Sequence, residues 1–281
     1  MDVFNQLAQA GLEIDGALEY GRLVRCRADG DRGRKSSGWY VLHELRLDNG
    51  AVVTVGRYGN WKRYGPESMA VTFDGAGLSA AERERLAREQ DRLRADAEAE
   101  RQARAADAAR RATAIWPKLP EVGASGYLDR KKVRAYGVRF SRGSIVVPVR
   151  DAGGALVGLQ FIAPDGGKKF LTGTPKRGCW HLIGEPPAPT DERGLLWIAE
   201  GYATAATVHE ATGCPVAVAF DAGNLQPVAQ ALRGLYPAVR IAIAADNDAA
   251  TPGNPGVTKA REAALAVGGV VVVPDLSTVA A

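Results

Sequence analysis

Four acidic residues in the last third of the chain follow apolar runs. Glu200 closes LLWIAE, Asp221 follows PVAVAF, and Asp246 closes VRIAIAAD with Asp248 two places on. Carboxylates gathered at one rim repel one another unless a divalent cation neutralises them. An all-oxygen donor set suits Mg2+ (or Mn2+), which keeps waters for substrate phosphates. A D-x-D pair plus a third acid from another strand can hold one or two ions. Two ions can activate an attacking oxygen and steady a leaving one in phosphoryl transfer. A single Asp at a strand end is often only a cap or turn former, and Glu200–Gly201 also reads as an ordinary strand-to-helix turn. Three acids at one rim is the rarer arrangement.

Such acids need a frame. LLWIAE, PVAVAF, VRIAIAAD and GVVVVPD read as four apolar strands; YATAATVHEATG, LQPVAQALRGLYP and GVTKAREAALAVG read as three helices between them. Strict β/α alternation predicts a parallel sheet with right-handed crossovers. Strands covered on both faces show continuous apolar runs, as these do, and ligands sit outside the carboxyl ends of such strands. Residues 191–281 are therefore expected to form a Rossmann-like catalytic unit with flanking helices.

Upstream, residues 117–190 read as a short helix at GYLDRKKV followed by antiparallel strands GSIVVPVRD, ALVGLQFIA and KKFLTG, turned at DAGG and PDGG. The Pro-rich EPPAPTDERG predicts a boundary near 185–194. Residues 78–116 contain no Gly or Pro and carry nine basic and eight acidic residues. Ser79 and Glu82 offer a capping box. Only Leu78, Leu86 and Leu93 give large apolar side chains before Ile115, so a solvated helical spacer is expected. Residues 1–77 read as a small α+β unit: a helix over 1–15, then strands RLVRCRA, GWYVLHELRL and AVVTVGRY with a hairpin signal at DNG.

Charge is distributed unevenly behind the net +4. Residues 20–65 hold ten Lys/Arg against four Asp/Glu, residues 116–181 twelve against four, and residues 185–281 five against ten. Cationic surface attracts a phosphate backbone, so the first two segments suit nucleic acid and the last suits metal. Cys26, Cys179 and Cys214 form no C-x-x-C pair; they are too few and scattered for a disulfide framework, and their spacing excludes an ordinary zinc ribbon. A zinc site from Cys26, His43, Cys179 and His181 is open to the sequence but lacks the usual close-spaced pairs, and small buried thiols are the commoner reading. No run reaches the ~18 apolar residues of a membrane helix, and the N-terminus lacks a signal segment. A cytoplasmic protein without a membrane partner is expected. No G-x-x-x-x-G-K-[ST] occurs in these residues, so no P-loop motor is read in them.

EGYATA (Glu200–Ala205), AFDAGN (Ala219–Asn224) and ADND (Ala245–Asp248) together resemble the Toprim domain of phage and conjugative-plasmid primases, relatives of bacterial DnaG-type primases. Asn254–Gly256 with Lys259 fits the same group, and GWYVLH, GYLDRKKV, IVVPVRD and GLQFIAPDGGKKFLTG resemble its upstream segments. The resemblance implies template-directed synthesis of short RNA primers on single-stranded DNA during phage, plasmid or mobile-element replication. A 3′-hydroxyl would attack the next nucleotide's α-phosphate. Glu200, Asp246 and Asp248 would be the catalytic metal ligands, with Asp221 in a matching loop.

It further implies ribonucleoside triphosphates as substrates, single-stranded DNA as template and a replicative helicase as partner. Arg130, Lys131, Lys132, Lys168, Lys169, Asn224 and Lys259 are the expected nucleotide or DNA contacts. Tyr127, Phe161 and Trp180 suit base stacking or, more commonly, a core. In the N-terminal unit Arg22, Arg25, Lys35, Trp61, Lys62 and Arg63 would hold template, in place of the zinc ribbon of cellular primases. Two rival readings share the scaffold: a non-catalytic single-strand binding module and a Toprim nuclease.

Overall fold

The computed structural model describes residues 2–33, 35–46, 50, 52–64, 67–72, 80–247, 251 and 254–273. Two compact units divide the chain, Met1–Ala99 and Glu100–Ala281.

The first unit opens with α1 (Val3–Gln9), whose N-cap Asp2 accepts a hydrogen bond from the Phe4 amide. This helix stops short of the expected residue 15 because Gly11 turns left-handed, at φ 75°, and β1 (Leu12–Glu13) pairs with β2 (Leu23–Ala28). Then come β3 (Gly38–Arg46), β4 (Val52–Asn60), a single helical turn α2 (Trp61–Tyr64) and β5 (Met69–Ala70). The five strands form an antiparallel sheet in chain order. Period-two alternation turns Ala28, Tyr40, Leu42 and Tyr58 onto Leu7 and Leu12 as the core. Arg46 pairs with Val52; of the DNG turn itself, only Gly50 is among the described residues.

Helix α3 (Ala80–Ile115) has 36 residues; Ser79 and the Glu82 side chain of the expected capping box lie outside the described set. The helix is not the wholly solvated spacer that its sequence predicts. In the first unit Leu93 packs beside Leu45, Val53 and Val55. In the second, Ala108 and Ala112 are fully buried. There Gly173 lets the backbone approach so closely that a Cβ on it would stand 2.6 Å from the Arg104 carbonyl oxygen. Alanines one turn apart make a flat stripe, which buries a helix without large side chains.

The second unit continues through a 3-10 turn (Trp116–Lys118) into α4 (Gly126–Lys131). An antiparallel sheet follows, β6 (Arg139–Ser141), β7 (Ser144–Arg150), β8 (Leu156–Ile162) and β9 (Lys168–Phe170), in chain order. Next come β10 (His181–Ile183), β11 (Leu195–Ala199), α5 (Tyr202–Thr212), β12 (Val216–Val218), α6 (Leu225–Leu235), β13 (Arg240–Ala244), α7 (Pro255–Val267) and β14 (Val270–Val272). These strands order as β10-β12-β11-β13-β14. All neighbours are parallel except β10, which runs antiparallel to β12. The α/β and α+β architecture expected from the sequence is the one observed. The Pro-rich stretch does not separate two cores: β10, upstream of it, joins the parallel sheet, and one buried cluster takes Ile145, Val147 and Ile162 together with Ala199, Val216 and Val218. A second cluster lies under α6 and α7 around Leu196, Ile198, Leu232 and Ile243. Among the described residues no helix is long and apolar enough to cross a membrane.

Candidate metal and nucleotide site

Helix α5 carries the chain outward from β11 to β12, and α6 brings it back across β11 to β13. Strand order therefore reverses between β11 and β13, and open α/β sheets form their ligand crevice at the carboxyl ends of strands at such a point. Ala199 pairs with Ala244, so Glu200 and Asp246 leave neighbouring strands one and two residues past the same rung. Both are half-buried. Thr204, in the first turn of α5, donates its hydroxyl to Asp246 Oδ1 at 3.1 Å. That bond orients the carboxylate and ties the start of α5 to the end of β13.

Asp248 lies outside the described residues. Asp221 does not join the other two acids in a cluster: among the described residues no three His, Cys, Asp or Glu stand close enough to share a metal. It sits beyond β12, on the other side of β11, where its Oδ2 takes a 2.8 Å ion pair from Lys176. Phe220, just before it, has φ 73°, a left-handed conformation that costs a bulky residue ~1–2 kcal/mol. Its ring is buried edge-on against Phe170, which holds the turn that aims Asp221 outward.

The adjoining antiparallel sheet delivers cations unequally. Ile162 pairs with Lys168 and Phe161 with Lys169, so the two lysines point to opposite faces. Lys168 shares the face of buried Ile162, and its Nζ lies 3.5 Å from where a Cβ on Gly201 would stand. It is at the rim beside Glu200. Lys169 shares the face of Phe161, the one covered by Ala112 of α3, and so is turned away. Arg130, at the end of α4, lies over Gly166, 3.4 Å from a Cβ there. Lys131 and Lys132 are exposed, Lys132 closing α4 in a left-handed C-cap.

Four of the residues considered for nucleotide or base contact are engaged elsewhere. Asn224 is buried; its Nδ2 donates to the Cys179 and Ala219 carbonyls at 3.0 and 2.8 Å, and its Oδ1 accepts from the Gly178 amide at 2.8 Å. It clamps the segment leading into β10 to the end of β12 rather than facing a nucleotide. Lys259 pairs with Glu262 on the exposed side of α7 at 2.7 Å. Trp180 is buried in the core and Phe161 packs under α3, so neither is a stacking surface. Tyr127 is also buried; burial raises its pKa, and Arg130 and Asp246 act on it electrostatically.

The tyrosine of EGYATA is structural. Buried Tyr202 receives the Tyr136 amide on its hydroxyl at 2.6 Å. From the same helix Glu210 accepts from the Arg134 amide at 2.8 Å and the Tyr136 hydroxyl at 3.1 Å. Helix α5 thereby fixes the loop after α4, and with it Arg130. His181 stacks on Tyr202, and its Nε2 bonds the Tyr136 carbonyl at 2.9 Å. Burial pushes this imidazole down to about 4, so it is neutral in the folded protein. The unfolded chain takes up the proton near pH 6.5 and the folded chain only near 4, so stability is whole above about pH 6.5 and falls as pH drops through that window. The loss expected from His181 at pH 5.5 is ~1–1.5 kcal/mol. Urea midpoints at pH 7 and 5.5 for wild type and His181→Asn check this, the variant showing the shallower acid loss.

Residues 195–278, which carry β11 to β14 and the acid-bearing rim, match the family model described as "Toprim domain". Over 262 residues the chain is 37% identical to DNA primase TraC of Escherichia coli, covering 90% of this chain and 24% of that protein. A second DNA primase TraC of Escherichia coli is 34% identical over 272 residues, covering 92% of this chain and 18% of the relative. The chain thus spans about a quarter or less of the curated relatives it matches. The primase fragment of the bacteriophage T7 primase-helicase aligns over 54% of this chain and 60% of its own at 18% identity, with a TM-score of 0.36, too loose to carry an inference.

Thr204, Lys176 and the Tyr202 clamp escape a reading of the residues alone. A threonine at the fourth place after a strand-end acid is a weak signal of a bond to the next strand's acid.

Proposed function

We propose that this chain acts as a DNA primase, joining ribonucleotides into short primers on single-stranded DNA, with Glu200, Asp246 and Asp248 holding Mg2+ or Mn2+. One observation carries the reading: Glu200 and Asp246 leave paired neighbouring strands at the point where strand order reverses. Its support includes the curated relatives named DNA primase. An all-oxygen pair with one carboxylate already oriented by a hydroxyl suits a hard divalent ion. When bound, the ion would neutralise phosphate charge and favour ionisation of the attacking 3′-hydroxyl.

The chain's own residues supply positioning. Lys168, beside Gly201, neutralises the incoming triphosphate, and Arg130, held by α4 and its anchored loop, receives the template or primer backbone. Lys131 and Lys132 extend that cationic rim. Residues 1–77 would present template, 78–116 link it, and 117–190 with 191–281 form the catalytic core. A replicative helicase is the expected partner, and replication of a phage, plasmid or other mobile element in the cytoplasm the expected setting.

The test is incubation with single-stranded DNA, labelled ribonucleotides and Mg2+ or Mn2+. Short RNA is the expected product. Binding without synthesis in either metal would make the chain a single-strand binding module, and template degradation a nuclease. Thr204→Val keeps the side chain's shape but releases Asp246, so the half-maximal Mn2+ concentration for synthesis is expected to rise about tenfold, the weight of one hydrogen bond to a charged group at ~1.5 kcal/mol. Thr204→Ser restores the donor, and a metal titration should return close to wild type.

A further inference from the structure

The antiparallel sheet of the first unit has a second face, turned away from Tyr40 and Leu42. From β2, β3 and β4 it receives three arginines, Arg25, Arg27 and Arg57, and no acid. Arg27 is spent on Glu13 of the edge strand at 3.0 Å. Arg57 uses Nε and Nη2 on Ser68, both at 2.8 Å, which leaves Nη1. Arg25 is exposed, with no hydrogen bond or ion pair among the described residues.

Trp39 stands between Arg25 and Gly59 in the register. A Cβ on Gly59 would lie 2.5 Å from the indole Nε1, so the ring lies across the bare glycine backbone. In the neighbouring row Leu23, 55% exposed, sits opposite Val41. Leu93 of α3 packs against Val53 and Val55 at the far end of β4, while Leu23 and Arg25 stay open.

Three of the cations picked out in sequence are committed elsewhere. Arg22 pairs with Glu19 and Arg63 with Asp29 at 2.6 Å. Lys62 neutralises buried Asp31 at 2.9 Å; Ser37 and the Ala28 amide also bond that carboxylate, which holds it below the usual carboxylate range. Each of these cations is already paired with an acid of the same unit.

We propose that the face centred on Trp39, Arg25 and Arg57 binds single-stranded DNA, with a base against the indole and phosphates on the two guanidiniums. This deepens the template role proposed above and rests on it. Arg25 and Arg57, with no acid beside them from β2, β3 or β4, complement a phosphate chain, and a sheet-borne aromatic needs an unpaired base to stack, which selects single strands over duplex.

The experiment is fluorescence anisotropy of a labelled 20-nucleotide thymidine oligomer with the full chain, in EDTA, across a salt series. Trp39→Ala is expected to bind about 10-fold to 100-fold more weakly, the range for losing one base stack. Trp39→Phe should keep most of the affinity, and Arg25→Gln should lower the salt slope by about 0.7. Folded Trp39→Phe and Arg25→Gln proteins make the test independent of any folding defect in Trp39→Ala. Wild-type affinity and salt slope in Trp39→Ala and Arg25→Gln would overturn the proposal, as would equal loss of duplex binding. Because binding is read without metal, it separates from synthesis. A wild type that makes no primer while Trp39→Ala loses binding fails the primase reading alone; a wild type that primes while Trp39→Ala binds normally fails this one alone.

Discussion

Asp246→Asn is expected to lower primer synthesis at least ~100-fold, a loss of roughly 3 kcal/mol or more in transition-state stabilisation, while single-stranded DNA affinity and the urea midpoint stay near wild type. The substitution is nearly isosteric, and its amide oxygen can still accept from the Thr204 hydroxyl, which now stands at 3.1 Å from Oδ1. What changes is charge: one of the two described rim acids becomes neutral. Glu200→Gln removes the other and should fall as far. The checks are quantified primer yield at saturating nucleotide, and Mn2+ binding followed by electron paramagnetic resonance, where both variants should bind ion more weakly. Full synthesis in folded Asp246→Asn would move the chemistry away from this rim. Asp221→Asn is the internal contrast, because its carboxylate is held by Lys176 outside the β11–β13 crevice. It should cost much less than either rim acid.

The site depends on α5 more than on any other element. Its first turn holds Asp246 through Thr204. The helix also holds the loop after α4 through buried Tyr202 and, further along, through exposed Glu210. The EGYATA string therefore contributes one acid, one orienting hydroxyl and one anchor, and the small residues between them let α5 pack: Ala205 and Ala206 are fully buried. The residues proposed to meet metal and phosphate are thus placed by a helix seated on a parallel sheet, where side-chain positions are better defined than on a free loop.

The parallel sheet was legible because its signals are local. Four apolar runs and three helical patterns alternate, and an acid follows each of the first three strands. What escaped depends on long-range packing. β10 has three residues and gains its place only by pairing Ile183 with Val216 and His181 with Val218; nothing in HLI marks an edge strand. The burial of α3 rests on Ala108 and Ala112, whose methyl groups give little hydrophobic signal until Gly173 approaches them. Lys168 and Lys169 are equivalent in composition, and only the β8–β9 register separates the one beside Gly201 from the one turned away. The cations of the N-terminal segment are likewise interchangeable in composition, although Lys62 is tied to Asp31 while Arg25 has no ion pair among the described residues.

Asn224 shows the same limit in a form that mutation can decide. Its position in AFDAGN reads as a nucleotide contact, but its amide satisfies the Gly178 amide and the Cys179 and Ala219 carbonyls. Asn224→Ala leaves those three groups without their partner in a buried place, and each unmet group costs ~1 kcal/mol or more. The summed loss expected is about 3 kcal/mol, whether or not nucleotide is present. Asn224→Asp should be worse at neutral pH, since its second oxygen would face two carbonyl oxygens, and should recover partly as the pH falls and the carboxyl takes a proton able to donate. Urea denaturation with hydrogen exchange across β10 and β12 reads the effect, with early loss of protection in that pair of strands. A nucleotide contact would behave differently, leaving apo stability and β10 protection intact and raising only the nucleotide KM. That outcome would return Asn224 to the substrate side of the rim.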